Sequence, residues 1–574
     1  MAMERGELIY KIYRALTYGL SPLIQLHLRW RKFRGLEHPL RWRERLGIPS
    51  LSRPPGPLFW FHAVSLGEGM CAIPVIKCCI ERRPDVTVLM TTTTTSAFEV
   101  IKHQLPNNVL YQFSPVDTPG AIDVFLRYWK PSAIMLMESE LWPNLIIGAA
   151  KNRIALALLN ARISAKSYGS WSQPFVNSLT SLMLSKFLLI LPLSTTQAIR
   201  FQLMQCPPFI INFCGDLKYA VGNIDTNEGD QRALKELQVQ LMNRKVWMAS
   251  SIHKGEEKVM LGVYNALKQI HPDIITIIVP RHPQHGKQIA LELEKDGVRV
   301  ALRSRHDKLM PGTNIYVVDT LGELQKFYRL TPIAVIGGSF LPGSAGHNIS
   351  EAAAAGCAIL TGPYIGHFSH MATQMQRLNP LSVLQVSGHI LVEALSNLLS
   401  DAKLLEERQE AAKQAYHALS CGITENVWSF LDFHIFRIAL ANEGKKNVKN
   451  VNAAPSFPVY QIVLSEICLP RWFMSKEQPK RTMIFQGRPR TKVYHKYQLF
   501  TSSMASPLLY IGLFPSCVKQ LSELRDDFSF YRDPSIQLSS ELYSGNQCLE
   551  LLTVVAVVTV MANYGWEMNN DNIE

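Results

Sequence analysis

The fold is decided by a stretch that reads IAVIGGSF at residues 333–340 and, after a small polar loop, NISEAAAAG at residues 348–356. An apolar run that stops at two glycines and is followed by alanines predicts a strand, a turn and a helix. The helix would begin at the loop, where its unpaired amides and the positive end of its dipole favour an anion. The stretch therefore predicts a βα unit with an anion-binding site.

The residues of this unit favour a nucleotide. Gly337 and Gly338 would let a phosphate approach the backbone. Glu351 does not suit a phosphate, but a carboxylate in the first helical turn can accept hydrogen bonds from ribose hydroxyls. An ordinary βα turn, with Asn348 as the helix cap and Glu351 matched to the dipole, explains the same residues, because a glycine pair before a helix is a weak signal.

The βα pattern extends along most of the chain. Apolar runs of strand length occur at residues 58–63, 86–90, 109–113, 133–137, 154–158, 188–192 and 209–213, with helical segments such as 70–80, 121–129 and 197–204 between them. After a polar break at 223–231, strands are predicted at residues 246–249, 274–279, 298–302, 315–318, 333–336 and 358–360. Strands that alternate with helices indicate parallel sheets, so the fold class is α/β with two similar doubly wound domains.

The composition is that of a globular protein with an anionic partner. Of the 574 residues, 47% are hydrophobic and 18% are charged, and the net charge is +13. Nucleic acid, a phospholipid surface and a phosphorylated substrate all suit this charge, but the basic residues lack the interleaved aromatics of a nucleic-acid module. The ten cysteines form no CxxC pair and no zinc-spaced set, so we expect reduced thiols and no metal site.

Residues 1–47 predict a basic amphipathic helix. Lys11, Arg14 and Pro22 interrupt its apolar positions, so a helix that spans a membrane is not expected. A helix that lies on a membrane surface is the functional interpretation. A mitochondrial presequence and a helix packed on its own domain are the alternatives.

Polar groups follow several of the predicted strands, and ligands of doubly wound sheets bind beyond the carboxyl ends of the strands. Glu68 follows the first strand between two glycines that leave room for a bulky substrate, so it is a candidate general base, or else a helix cap. Glu138 and Glu140 end another strand, and at least one of them should face the cleft expected between the two domains. Arg281 suits a phosphate or carboxylate. The remaining clusters are NAR at 160–162, GDLK at 215–218 and SSIHKGE at 250–256.

The order of these motifs resembles one family. FHAVSLGE at 61–68, the threonines at 91–95, ESELWPN at 138–144, NARIS at 160–164, GDLK at 215–218, PRHP at 280–283, DTLGEL at 319–324 and GHN at 346–348 occur in this order. Together they resemble the 3-deoxy-D-manno-octulosonic acid (Kdo) transferases, which have the GT-B glycosyltransferase fold, over about residues 10–436. The resemblance implies inverting transfer of Kdo from CMP-Kdo to a lipid A precursor such as lipid IVA, without a metal or other cofactor.

The family's functional residues carry over position by position. Glu68 matches the general base, and Glu138 and Lys218 match residues that stabilise the transition state. The positions that match the CMP site are Arg281, His282, Gly322, Glu323, Leu324, Asn348, Ile349, Ser350 and Glu351. Ala352 stands where bacterial members usually have proline, and Ser139 where threonine is common; neither change removes a reactive group.

The alanine-rich helix and the cysteines resemble the plant members of the family more closely, which implies a mitochondrial, membrane-associated protein. If the protein is bacterial, the cytoplasmic face of the inner membrane is expected. The predicted organisation is a membrane-associated segment at 1–47, an acceptor domain at 48–222, a CMP-Kdo-binding domain at 223–438 and a disordered or weakly folded tail at 439–574. Two alternatives remain at this stage: another GT-B enzyme, such as an epimerase or a transferase of a different sugar, and a non-catalytic membrane-bound binding protein.

Overall fold

The computed structural model describes residues 2–222, 228–242 and 244–441. The predicted tail lies outside the described residues from position 442 onward. No helix of the described part is long and apolar enough to cross a membrane.

The first sheet has six parallel strands in the order β3-β2-β1-β4-β5-β6. Its strands are β1 Leu58–His62, β2 Thr87–Thr92, β3 Leu110–Phe113, β4 Ala133–Met137, β5 Ala155–Ala161 and β6 Leu189–Pro192. The helices of this half are α1 Ala2–Gly19, α2 Ser21–Phe33, α3 Leu66–Arg82, α4 Thr95–Ile101, α5 Pro119–Trp129, α6 Pro143–Lys151, α7 Ala165–Trp171, α8 Pro174–Leu184 and α9 Thr195–Leu203.

The second sheet has seven parallel strands in the order β13-β12-β11-β7-β8-β10-β9. Its strands are β7 Val246–Ile252, β8 Ile275–Pro280, β9 Val300–Leu302, β10 Ile315–Val317, β11 Ile333–Ile336, β12 Ala358–Thr361 and β13 Val383–Gln385. The helices are α10 Glu228–Leu241, α11 Glu256–Ile270, α12 Gly286–Lys295, α13 Leu324–Tyr328, α14 Ser350–Ala355, α15 Ser369–Leu378, α16 Gly388–Ser400, α17 Ala402–Ser420 and α18 Ile423–Leu431. The prediction of two doubly wound α/β domains is confirmed.

Both faces of the sheets are covered, which explains why the strands read as continuous apolar runs. In β1, Phe59 and Phe61 enter one hydrophobic core, while Leu58 and Trp60 enter a second core on the opposite face. The last of the described residues return to the first sheet, because Phe436, in a π-helical turn after α18, stacks on Phe59 with ring centroids 4.2 Å apart.

The amino-terminal helix packs on the first domain. Its Gly6 lies so close to α8 that an added Cβ would come within 2.4 Å of the Ser178 carbonyl oxygen. The buried Tyr13 hydroxyl donates a hydrogen bond of 3.0 Å to Asp117, which precedes α5. The interpretation of a helix packed on its own domain is therefore correct for this face of α1.

One strand prediction is wrong, and one strand is not predicted. Residues 209–213 do not form a strand: a 3₁₀ turn, Pro208–Ile210, is followed by a single bridge between Ile211 and Ile190. Pro207 and Pro208 have no N–H to donate to a ladder, which stops pairing there. The short edge strand β13 is not predicted, since three residues carry too little periodicity.

Candidate active site

Glu68 lies at the start of α3 and caps this helix. The Ser65 hydroxyl accepts the Glu68 amide at 3.4 Å, and Glu68 Oε2 accepts the amides of Val64 at 2.7 Å and Ser65 at 3.3 Å. The capping interpretation is thus correct, but it occupies only one carboxylate oxygen. The Glu68 side chain is half-buried at the carboxyl end of β1.

The surroundings of Glu68 favour its protonated form. Burial and the nearby negative charge of Glu138 raise the pKa of Glu68 from its ordinary value near 4.5 to about 7, against the opposing hydrogen bonds and the charge of Lys218. A carboxylate with a pKa near the working pH can both take and release a proton, which is the requirement for a general base. Burial, with Glu68 as the next cause, also raises the pKa of Glu140 well above its ordinary value.

Glu138 and Lys218 form a buried ion pair beside Glu68. Lys218 Nζ bonds Glu138 Oε1 directly, and Arg162 Nη1 lies 3.7 Å from the other oxygen. Burial alone would lower the pKa of Lys218, but the carboxylates of Glu138 and Asp216 outweigh it and raise this pKa above its usual value. Lys218 is therefore a permanent positive charge at the cleft.

The backbone around this pair is unusual. Glu138, which follows β4, and Asn160, which lies at an irregularity within β5, both have left-handed backbones, with φ of 50° and 52°. Asn160 Oδ1 accepts the Leu217 amide at 2.9 Å, and its Nδ2 donates to Asp216 at 3.0 Å. A left-handed backbone at a residue other than glycine costs of order 1–3 kcal/mol and is concentrated at functional sites.

The glycine loop after β11 is not open to a phosphate. Glu256, fully buried at the start of α11, accepts the amides of Gly338 at 2.7 Å, Ser339 at 2.9 Å and Phe340 at 2.9 Å. An added Cβ on Gly337 would lie 2.8 Å from the Ser251 carbonyl oxygen. The prediction that a phosphate approaches these glycines is wrong, because the chain's own carboxylate occupies the amides and strand packing explains Gly337.

The start of α14 is also partly satisfied from within the chain. Asn348 Oδ1 accepts the Ser350 amide at 3.0 Å, and Asn348 Nδ2 donates to Glu351 at 3.1 Å. The Ser350 hydroxyl donates to the Lys218 carbonyl oxygen at 2.9 Å, and Ile349 is buried. Burial raises the pKa of Glu351 in spite of the hydrogen bond from Asn348. These residues therefore link the second domain to the lysine.

A group of histidines lies near Arg281 on the second domain. His253 and His347 stack with centroids 5.0 Å apart, and their Nε2 atoms lie 2.7 Å apart. The His282 ring meets His253 edge-on at 6.3 Å. Burial, followed by the charge of Arg281, lowers the pKa of His347 to about 3, so His347 is neutral at physiological pH. Arg281 itself is exposed.

The turn Gly322-Glu323-Leu324 lies further along the same rim. Gly322 has φ of 79° and faces Val100 of α4 in the first domain. Glu323 pairs with Arg303 through contacts of 2.8 Å and 3.0 Å, and although burial opposes it, this pairing lowers the pKa of Glu323. Leu324 begins α13. The Glu323 side chain is thus held within the second domain.

Sequence reasoning misses a part of the site, the loop that follows β12. This loop brings Phe368 under Lys218, with Nζ 5.7 Å from the ring centroid, and His370 to Asp216. The signal that could have found them is an aromatic residue between two histidines, His367 and His370, a few residues after β12 ends at Thr361. No group of three or more potential metal ligands is present in the part of the chain that the structure describes.

Two doubly wound parallel α/β domains of this kind are the GT-B architecture, which glycosyltransferases share with sugar-nucleotide epimerases. A family model described as 3-deoxy-D-manno-octulosonic-acid transferase (kdotransferase) matches residues 40–221. The chain is 61% identical over 437 residues to a protein of Arabidopsis thaliana named "Probable 3-deoxy-D-manno-octulosonic acid transferase, mitochondrial". The matched region covers 76% of this chain and 98% of that relative. The chain belongs to the Kdo transferase family.

The chain is also similar to bacterial proteins and to solved structures. The Haemophilus influenzae 3-deoxy-D-manno-octulosonic acid transferase is 27% identical, over 71% of this chain and 94% of the relative. The C-terminal CMP-Kdo binding domain of WaaA from Acinetobacter baumannii matches 33% of this chain and 98% of that domain, at 23% identity and a TM-score of 0.31. UDP-GlcNAc 2-epimerase from Neisseria meningitidis matches 66% of this chain and all of that structure, at 13% identity and a TM-score of 0.45.

Proposed function

We propose that this glycosyltransferase transfers Kdo from CMP-Kdo to a hydroxyl of a lipid A precursor, with Glu68 as the general base. The observation that carries the proposal is the half-buried Glu68 carboxylate, whose pKa of about 7 lies in the range of a working base, beside the Glu138–Lys218 pair. Membership of the Kdo transferase family supports the donor sugar.

In the proposed reaction Glu68 takes the proton of the acceptor hydroxyl as its oxygen bonds to the anomeric carbon of Kdo. The bond from this carbon to the phosphate oxygen of CMP breaks, and CMP leaves with the bonding electrons. Attack from the face opposite to CMP inverts the anomeric carbon. Lys218, fixed by Glu138, offers positive charge to the Kdo carboxylate or the departing phosphate.

The second domain would hold the nucleotide. Arg281 is exposed at the end of β8 and is suited to the phosphate of CMP. His282, beside His253, would donate to the same phosphate. Glu351, whose Oε1 accepts from Asn348, would accept hydrogen bonds from ribose hydroxyls. The pocket for the cytosine base of CMP would be shaped by the turn Gly322–Leu324 together with Ile349 and Ser350.

The amino-terminal helices would lie on a membrane that holds the lipid acceptor. Ile24 and Leu28 of α2 are buried against the protein, whereas a set of large apolar side chains in residues 8–40 is exposed: Leu8, Leu20, Leu23, Leu26, Trp30, Phe33, Leu36 and Leu40. Exposed Arg29, Lys32 and Arg34 stand among them. Apolar residues flanked by basic ones suit an interface with anionic lipid. The name of the Arabidopsis relative supports a mitochondrial location.

The deciding experiment incubates purified protein with CMP-Kdo and a tetraacylated lipid A precursor and measures the lipid by mass spectrometry. A Kdo-dependent increase in the mass of the lipid is the expected result. UDP-glucose and UDP-N-acetylglucosamine are the control donors. Turnover of a UDP-sugar alone would overturn the proposal in favour of another GT-B enzyme, and binding of CMP-Kdo without any transfer would favour a binding protein.

A further inference from the structure

The turn that carries Lys218 is held by a buried carboxylate. Asp216 is buried, and its Oδ1 accepts the backbone amide of Lys218 at 2.9 Å and the side-chain amide of Asn160 at 3.0 Å. Gly215 has φ of 96°, so the turn begins with a conformation that favours glycine. Asp216 therefore fixes the direction in which the Lys218 side chain leaves the backbone.

The other oxygen of this carboxylate is bound from the second domain. His370 Nε2 on α15 lies 3.1 Å from Asp216 Oδ2, and the preceding Phe368 lies under Lys218 Nζ. The Ser350 hydroxyl reaches the Lys218 carbonyl oxygen, and the Tyr219 hydroxyl donates to the Met371 carbonyl oxygen at 3.4 Å. The two halves thus meet at this turn through several separate contacts.

We propose that His370 is a positioning residue, which donates to Asp216 and so couples the placement of Lys218 to the nucleotide-binding half of the protein. The inference rests on the proposed function, because it gives Lys218 a place in the transfer reaction. Asp216 keeps its bonds to Asn160 and to the Lys218 amide when His370 is absent, so the turn should persist but Asp216 should lose its hydrogen bond from α15. A reacting charge that is displaced by about 1 Å can cost up to about 100-fold in rate.

The position of His370 allows a clean substitution. Its side chain is 22% exposed, and the carboxylate that it binds is fully buried. His370→Gln retains an N–H at a similar reach and should still donate to Asp216. His370→Met has a comparable volume but no donor, and His370→Ala removes both volume and donor. His389, exposed on α16, supplies the control variant His389→Ala.

The test measures kcat and KM for CMP-Kdo in the transfer assay, together with the affinity for CMP by calorimetry, for variants whose folding circular dichroism has verified. His370→Met should lower kcat at least about tenfold, because Lys218 is no longer fixed from α15, while KM and CMP affinity stay within about threefold. His370→Gln should restore kcat to within about threefold of the wild type, and His389→Ala should be unchanged.

Each outcome of this test either supports or overturns the positioning role of His370. If His370→Met, or His370→Ala where the first does not fold, turns over like the wild type, the inference is wrong although the proposed function stands. If His370→Gln is as impaired as His370→Met, ring packing and not the donated hydrogen bond matters, which also overturns it. A wild-type protein that transfers no Kdo overturns the proposed function and this inference together.

Discussion

Replacing Glu68 by glutamine removes the proposed base while retaining its structural contacts. The carbonyl oxygen of the new side-chain amide would still accept the amides of Val64 and Ser65 that Glu68 Oε2 accepts now. Loss of a helix cap costs about 0.5–2 kcal/mol, so a variant that keeps the cap should fold with near-normal stability. Any large loss of activity then reports on proton transfer.

The expected loss in kcat follows from the role of the base. General-base catalysis contributes about 10²–10⁴-fold, and each tenfold is about 1.36 kcal/mol of activation free energy. Glu68→Gln should therefore lower kcat at least about 100-fold, which corresponds to about 2.7 kcal/mol or more. CMP should bind as before, because Glu68 lies on the first domain. Glu81→Gln, an exposed change on the same helix, is the matched control.

The pH dependence gives a second measurement on the same variant. With the pKa of Glu68 at about 7, the base is protonated below neutrality, so log kcat/KM of the wild type should fall by about one per pH unit below about pH 7. This limb should be absent from Glu68→Gln. The raised pKa also means that the folded state binds this proton more tightly than the unfolded state, so its contribution to stability declines as pH rises from about 4.5 to about 7.

The assay measures initial rates of Kdo transfer over a range of CMP-Kdo concentrations and pH values, with chromatography of the lipid product. Turnover of Glu68→Gln within about threefold of the wild type would refute the assignment of the base. A wild-type pH profile that stays flat from pH 5 to pH 8 would refute the link between activity and the raised pKa of Glu68.

Three further predictions concern other parts of the protein. Lys218→Met should abolish transfer and lower the free energy of unfolding, measured by urea titration, by about 3 kcal/mol. The reason is that Glu138 stays buried with only the weaker contact from Arg162. Adding Glu138→Gln to this variant should restore the stability but not the activity. Glu256→Gln should cost about 2–4 kcal/mol of unfolding free energy, since an amide nitrogen cannot accept the loop amides, and calorimetry should show weaker CMP binding. Changing both exposed Trp30 and Phe33 to serine should reduce flotation with anionic vesicles at least about tenfold without altering the circular dichroism spectrum.

The sheets could be predicted from sequence because their strands are buried on both faces. The strand at 133–137 is found with the predicted bounds, and the one at 333–336 likewise, since each is an uninterrupted apolar run. Residues 209–213 look equally apolar, but the prolines before them prevent pairing, and Phe209 and Phe213 are exposed instead. Apolar content indicates a strand only where the backbone can form its hydrogen bonds.

The site is harder to predict because its contacts join distant parts of the chain. Lys218 contacts Glu138, 80 residues away in the sequence, and Asp216 contacts His370, 154 residues away. The topology of the two sheets brings these pairs together, and local sequence spacing does not indicate them. The glycine loop shows the same limit: the sequence of the loop favours an anion, but Glu256, 82 residues earlier than Gly338, fills that place.

The carboxylate of Glu256 has a consequence for the proposed binding of a nucleotide by the second domain. A loop whose amides are already paired keeps its shape before any nucleotide arrives, so little conformational entropy is lost when the nucleotide binds. Encounter with the donor should then be limited by diffusion and orientation, without a slow ordering step, and stopped-flow traces of CMP binding should fit a single exponential whose rate rises linearly with CMP concentration.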